Sequence, residues 1–513
     1  MKKNLKNLIK MSCLALLAVS CGEDFLVEEP TGATITSNQL ADAILLNPKL
    51  GEATVTGIYA TMFTTGTGGT TSQQDFGQKG YDIYGDMLSS DMALSTSTYG
   101  WYRARITEMQ AGTDFTQQEN YQVWRYYFRI INLSNLVIQS LGGNDAVPET
   151  DVNKYTLGQA LAMRAHSYFY LTQYLINDVE ASWNSPTLPI YTVPGFVGNA
   201  KSTTKEVYDL MESDLTKAIT FLDGFTRSSK TAVDKPVAQT ILAYVLASRR
   251  DRWNDVVTLT TDALNGTSAS PMTTEFDFTN LATIQAIPDS SIFSGFNNVA
   301  STGWMWGVDL NEDIGLSLVS WWGQIDLYSY SYAAYGDNKA MDVNLYNSMR
   351  PDDLRRLQFL NSPTSSRYLQ PYRKFYDEDR VVAGSSQIVK ADYIYMRYEE
   401  PLLLRIEALA KSGQEALAVP ALFNFVSTRV GDASYVNALS GQALLNEIYK
   451  QTRLEFWGEG KSYLAMKRNK ATITRGANHL SFVGVPIPYN DERLTFEIPQ
   501  QEIQDNNNIT DQN

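Results

Sequence analysis

VAQTILAYVLASRRDRWNDVVTLTTDALNG, residues 237–266, is the stretch whose reading decides the fold. It divides into two helices, Val237–Ser248 and Trp253–Leu264, with only Arg249–Arg252 between them and Asn265-Gly266 as a stop. So short a connection forces the helices antiparallel, each covering the apolar face of the other. A second pair, about Pro401–Lys411 and Glu415–Val430, turns at Ser412-Gly413. One such hairpin cannot bury its own outer face, so hairpins stack.

Upstream, Tyr121, Trp124, Phe128, Ile131, Asn135 and Ile138 recur at three- and four-residue steps, which lays one stripe along a helix from about Tyr121 to Leu141. Further helices fit Leu157–Ile176 and Thr204–Leu222. The latter opens with Ser202-Thr203-Thr204 and carries Glu206 in its first turn, the signature of a capped N-terminus. The expected fold class is all-α, an array of helix hairpins similar to tetratricopeptide units. The array rests on hairpin shape, because no strict repeat period runs through the chain. Between about Pro271 and Asp392 helical periodicity fades, and Gly, Ser, Asn and Asp punctuate clusters of rings that include Tyr328, Tyr330, Tyr332 and Tyr335. Long irregular segments in a helical body are either disordered or functional, and aromatic density argues against disorder. The Gly/Thr-rich stretch Thr64–Gly80 reads as another loop. The expected organisation is a single domain over 21–513, with helical parts at 21–270 and 393–513 and a loop-rich insertion at 271–392.

Residues 1–20 stand apart. Lys2, Lys3, Lys6 and Lys10 precede a short apolar run, Met11–Val19, too short to cross hydrocarbon roughly 30 Å thick. This is an export signal. Leu17-Ala18-Val19-Ser20-Cys21 resembles a lipobox, in which the cysteine is diacylated and becomes the new N-terminus; Val19 is a loose fit, and an ordinary signal-peptidase site is the alternative. Two or three acyl chains hold a protein on a membrane where one does not. Residues 21–37 then read as an acidic tether.

Composition excludes several functions. The net charge is −14, and the basic signal is the first part to be removed, so the body repels a phosphate backbone. The two cysteines are Cys13, inside the signal, and Cys21, which leaves the mature chain no disulfide, thiol nucleophile or thiolate metal site. His166 and His479 are far apart in sequence and neither sits in a zinc-binding pattern. Gly460-Lys461-Ser462 imitates the end of a phosphate-binding loop, but Glu455 stands where its first glycine belongs. Asp309, Asn311 and Asp313 alternate as in a calcium loop, yet glycine falls at Gly315 and Ser320 takes the place of the bidentate glutamate. Nothing in the spacing of the 56 acids marks a glycosidase pair, which needs carboxylates roughly 5–10 Å apart. No catalytic residue, metal or cofactor is expected.

The positive signal is aromatic: 30 Tyr, 20 Phe and 9 Trp. Flat sugar faces stack on such rings while nearby polar groups bind hydroxyls. Tyr99-Gly100-Trp101-Tyr102-Arg103 puts three rings and a cation into five residues after a loop of small residues. For any single ring, core packing is the competing use.

Three further stretches carry a family resemblance. RAHSYFYLTQYL (Arg164–Leu175) resembles the RAxxYFxLxxxYG signature of the SusD/RagB family. YIYMRYEEPLLLRIEALAKSG (Tyr393–Gly413) is similar to RxxExLLxxAEAxxxxG through Arg397, Glu400, Leu403 and Glu407, with Pro401 marking the first helical turn. TRLEFWGEGKSYLAMKR (Thr452–Arg468) resembles ERxxELxxEGxRxxDLxR, and FEIPQQEI (Phe496–Ile503) its IPxxEI ending. Thr452, Lys461 and Ala465 replace the usual Arg, Arg and Asp, which puts some of the family's ion pairs in doubt. Gly22, Glu23 and Asp24 resemble the surface-export signal of Bacteroidetes lipoproteins, a solvated linker being the alternative.

The resemblance implies tetratricopeptide-like hairpins supporting an irregular ligand-binding face, with contacts from the loop after the first helix and from the central region. That places Tyr99, Trp101 and Tyr102 with some of Trp304, Trp306, Trp321 and Trp322. It also implies a SusC-type TonB-dependent transporter as partner. The expected protein is lipid-anchored through Cys21 on the outer membrane, faces the cell exterior, and captures oligosaccharides without bond chemistry. Peptide capture by the same architecture, a surface glycoside hydrolase and a structural lid without ligand are the alternatives.

Overall fold

The computed structural model describes residues 43, 46, 47 and 49–512, apart from 196, 273–295, 328, 372 and 376–387. The expected export signal, Cys21, the expected acidic tether and Tyr328 lie outside the described residues. The first half holds α1 (Lys49–Thr61), α2 (Gln78–Leu88), β1 (Met92–Leu94), α3 (Gln118–Ser140), α4 (Asp151–Leu175), β2 (Pro186–Pro189), β3 (Lys201–Thr203), α5 (Thr204–Phe221), α6 (Lys235–Arg249) and α7 (Trp253–Gly266). Then come β4 (Trp304–Val308), α8 (Trp321–Ile325), β5 (Lys339–Met341), α9 (Val343–Ser348) and β6 (Tyr393–Arg397). The C-terminal part is α10 (Glu399–Lys411), α11 (Glu415–Ser427), α12 (Gly441–Glu455), α13 (Lys461–Arg468), β7 (Thr472–Thr474), β8 (Pro486–Pro488) and α14 (Gln500–Asp505).

The helices begin where local chemistry says they should. Thr203 caps α5 by accepting from the Glu206 N–H, while the Glu206 carboxylate accepts from the Thr203 N–H, a complete capping box. Asp234 caps α6, with Pro236 in the first turn. Gly413, at φ +79°, turns α10 into α11. The pairs α6–α7 and α10–α11 are hairpins, and α10 packs on α7, where Arg405 donates to Thr261 Oγ1 at 2.8 Å.

Helix α4 is buried on every side from Thr156 to Leu175, flanked by α3 and α5. Its Arg164 is 1% exposed and fully paired. The guanidinium donates twice to Asp214 of α5, at 2.7 and 2.8 Å, and also to Asn135 of α3 and Asn144. One side chain thus clamps three helices.

Among the described residues the strands make four two-stranded antiparallel sheets, β1–β5, β2–β3, β4–β6 and β7–β8. Two of them bind the loop-rich stretch to the helical body: β5 pairs with β1, and β4 with β6 just before α10. Asn311 caps a short turn at Glu312–Ile314 by accepting from the Ile314 N–H, a structural use of the Asp309–Asp313 spacing.

A second clamp is ionic. Arg397, at the end of β6, meets Glu399, Glu455 and Glu459 at 2.8–2.9 Å. Arg429 and Arg355 join it on Glu455, Lys374 on Glu459, and Asp353 on Arg355. All eight groups are buried, four of each sign. Burial works to raise the Glu455 carboxyl, but the guanidiniums of Arg429, Arg397 and Arg355 hold it well below the usual range. Lys461, one of the three replaced signature positions, still pairs with Glu400 at 3.4 Å, and the retained Arg468 pairs with Glu407 at 2.7 Å.

Glu407 gives a direct test. Burial works to raise its carboxyl, yet Arg468 and Lys411 hold it at about 2 against an ordinary 4.5. A depressed carboxylate contributes stability that is full above the ordinary value and lost as pH falls toward the folded one. Glu407→Gln is expected to cost about 3 kcal/mol at neutral pH. In urea denaturation, the gap to the parent should close as pH falls from about 4.5 toward 2.

Candidate ligand-binding site

Three-residue strands position the site. β1 and β5 pair Met92 with Met341 and Leu94 with Lys339. The ladder runs on beyond them: Ser95 N donates to Asn338 O at 2.9 Å and Thr98 N to Gly336 O at 3.0 Å. Asp337 Oδ1 then accepts from both the Thr98 and Tyr99 N–H, at 2.7 and 2.9 Å. This zip lays the segment carrying Tyr99 and Trp101 against the one carrying Tyr330, Tyr332 and Tyr335. Gly336 sits at φ +116°, and a Cβ there would stand 2.2 Å from Thr98 Oγ1, so the two backbones meet closely only because this residue is glycine.

Five rings gather on the outside of this junction. Tyr332 lies edge-on to Tyr99 at 5.3 Å and to Trp101 at 6.0 Å, and Tyr330 leans on Tyr335 at 5.1 Å. Tyr99 is 52% exposed, Tyr335 44% and Tyr330 38%, while Trp101 and Tyr332 are half-buried. Arg103, beside them in sequence, is tied to Glu108 at 3.2 Å.

The loop before α2 closes one side. Asp75 shapes it by accepting from Gly68 N, Thr70 N and Thr70 Oγ1 at 2.8–3.0 Å. Tyr332 OH donates to Gln73 Oε1 at 3.0 Å, and Gln324 Nε2 to Gln73 O at 3.2 Å. Behind them the buried Lys339 ammonium donates to Gln324 Oε1 at 2.8 Å and lies 5.2 Å from the centre of the Tyr102 ring. Burial pushes that lysine down to about 7, against the pull of Asp337.

The structure separates the expected site residues into two groups. Tyr99 and Trp101 reach the surface together. Tyr102, Trp304, Trp306, Trp321 and Trp322 do not, being at most 2% exposed, and their expected ligand role is corrected. Tyr102 takes a left-handed φ of +63°, on the far side of Trp101 from Gly100 at +85°, and its ring turns into the core against Tyr84. β4 is buried on both faces, so Trp304 packs with Val299 and Ile394, and Trp306 meets Tyr59, His166 and Tyr395. Trp321 and Trp322 stand at right angles, one against Phe375 and the other donating to Ala391 O at 2.7 Å. In their place stand Tyr330, Tyr332 and Tyr335. The signal for them is YSYSYAAYG, residues 328–336, where the neighbours of each ring are too small to cover it.

Among the described residues no group of three or more His, Cys, Asp or Glu could hold a metal ion. The arrangement supplies faces for stacking and hydroxyls for hydrogen bonding.

Comparison with known proteins agrees with this architecture. Residues 64–249 match the family described as "Starch-binding associating with outer membrane", of SusD-like type, and residues 358–513 match the SusD family, together more than half of the chain. None of the curated proteins matches. Among solved structures, a SusD-like carbohydrate binding protein from Bacteroides vulgatus is 22% identical, with a TM-score of 0.72 over 90% of this chain and 96% of that one. A SusD superfamily protein from Bacteroides fragilis is also 22% identical, with a TM-score of 0.70 over 91% of this chain and 100% of that one. Surface glycan-binding protein A from Bacteroides thetaiotaomicron, in complex with laminarihexaose, is 16% identical, with a TM-score of 0.63 over 91% and 99%. The two family matches, one in each half of the chain, and the shared fold lead to one conclusion: the chain belongs to the SusD family.

Proposed function

We propose that the protein captures oligosaccharides at the cell surface through the Tyr99–Trp101–Tyr332 patch and its neighbours Tyr330 and Tyr335. The observation that carries this reading is the open aromatic surface at the β1–β5 junction, on a fold shared with a glycan-binding protein solved in complex with laminarihexaose. Capture needs no bond chemistry: rings stack on sugar faces, and tyrosine hydroxyls and the nearby loop hold the sugar hydroxyls. Each stacked ring contributes on the order of 1 kcal/mol, so the complex is weak enough to release its cargo.

Release is to a SusC-type TonB-dependent transporter in the outer membrane. The protein is held beside it by acyl chains on Cys21, facing the cell exterior. Two or three acyl chains suffice for stable attachment, and among the described residues no helix is long and apolar enough to cross a membrane. Mass spectrometry of the native mature protein tests the anchor: Cys21 should carry acyl chains, and Cys21→Ala should move the protein to the soluble fraction.

The patch is tested by calorimetry against neutral oligosaccharides, laminarihexaose among them. Trp101→Ala and Tyr99→Ala should each weaken the glycan that binds by about tenfold, in line with the loss of one stacking face. Unchanged affinity in both variants would refute the site.

The junction itself is open to a second test. Gly336→Ala forces a side chain onto Thr98 at a left-handed φ and is expected to cost about 1–3 kcal/mol of stability. It should also weaken the same glycan, as the Tyr99 segment parts from Tyr332. Full affinity in that variant would mean that the two segments need not meet.

A further inference from the structure

A cleft of about 530 Å³ opens on the outer side of α3, between that helix, the loop after β2 and α14. Its volume suits one or two sugar rings. Its floor is aromatic: Tyr121 and Phe128 of α3 and Tyr191 are each partly exposed. Its chemistry differs from that of the patch at β1–β5, because two arginines line it.

Arg125 and Arg129 stand one helical turn apart on α3, both exposed. Like charges at this spacing repel. The chain has a net charge of −14, yet neither guanidinium takes an ion pair among the described residues. Arg125 is held in place instead: its Nη1 donates to Tyr121 OH at 3.2 Å, and its guanidinium lies 5.8 Å from the centre of that ring. Arg129 has no hydrogen-bond partner among the described residues.

The facing wall on α14 carries two acids with different employment. Glu502 is occupied, accepting from Trp124 Nε1 at 3.2 Å and from Asn506 Nδ2 at 2.7 Å. Asp505 is exposed and makes no ion pair among the described residues, so its oxygens are free to accept hydroxyl protons. The loop before α2 links the two sites, since Gly69 lies so close to Arg125 that a Cβ would stand 2.3 Å from its Cδ, while Gln73 of the same loop holds Tyr332.

We infer that this cleft is an acidic-sugar subsite, in which Arg125 and Arg129 take the carboxylate of a uronic acid residue, Tyr121 and Tyr191 face its ring, and Asp505 accepts its hydroxyls. The inference rests on the reading of the protein as a glycan-capturing one and names the kind of glycan. A planar guanidinium matches a carboxylate through two parallel hydrogen bonds, which an uncharged sugar cannot reproduce. A nucleic-acid backbone fits neither the small cleft nor the acidic body.

The test uses the full chain and calorimetry with a tetrasaccharide of galacturonic acid, its methyl ester, and a hyaluronan tetrasaccharide. The ester keeps the rings and hydroxyls and removes only the charge. At least one acid probe should bind, and the galacturonate ester should bind about tenfold or more weaker than its acid. Raising salt from about 50 to about 500 mM should shrink that ratio. In Arg125→Gln/Arg129→Gln, with circular dichroism unchanged, acid and ester should bind alike, whereas Trp101→Ala should keep the preference for the acid. The subsite is overturned if neither acid probe binds, if acid and ester bind equally to the parent, or if the double variant still prefers the acid. Binding of a neutral glycan lost in Trp101→Ala but without any acid preference would sink this subsite alone. No binding of any glycan would sink the capture reading with it.

Discussion

The balanced set of charges around Glu455 is the constraint on which the rest of the structure depends. It draws Arg397 from the end of β6, Arg429 from beyond α11, and Arg355 and Lys374 from the loop-rich middle onto carboxylates at the end of α12 and the turn after it. Each charge alone in that interior would be strongly unfavourable, and only the assembled set is neutral. The network therefore forms as a whole, and forming it fixes where the central segments lie against the helices. Arg164 performs a smaller version of the same task among α3, α4 and α5.

Once the middle of the chain is fixed, β5 can reach β1, and the candidate site is a consequence of that pairing. The two strands contribute three residues each, too few to be stable by themselves. They hold because the segments behind them are already in place and because Asp337 ties two more N–H groups across the gap. Rigid helices thus support a candidate binding surface made almost wholly from loops, the usual division of labour between scaffold and function.

The aromatic residues divide according to what surrounds them and not by type. Indoles at Trp304, Trp306, Trp321 and Trp322 fill the space between the central segments and the helical body, where large rings bury the most area. Tyrosines between Ser, Ala and Gly have no neighbours large enough to cover them and remain open. The ionic network and the buried indoles together explain how the described part of a stretch with little regular secondary structure still packs against the helices.

The helices were legible in the amino-acid order because their signals are local. Spacing of apolar residues, the Thr203–Glu206 cap, Pro401 in a first turn and Ser412-Gly413 between two helices all act within a few residues, and the elements stand where those signals put them. Tyr99 and Trp101 stood out only together with Tyr102, as three rings after a loop of small residues, and nothing local set the buried Tyr102 apart from the other two. The sorting of the other rings was not, since Trp321 and Trp322 read the same whether buried or open, and their burial depends on Phe375 and Ala391, some fifty to seventy residues away. Two of the three acidic partners of Arg397 lie 58 and 62 residues further on, and the contact of Thr98 with Asp337 spans 239. Local chemistry determined which segments are helical; only long-range packing decided which side chains face one another, because charge pairing and burial are properties of the assembled interior.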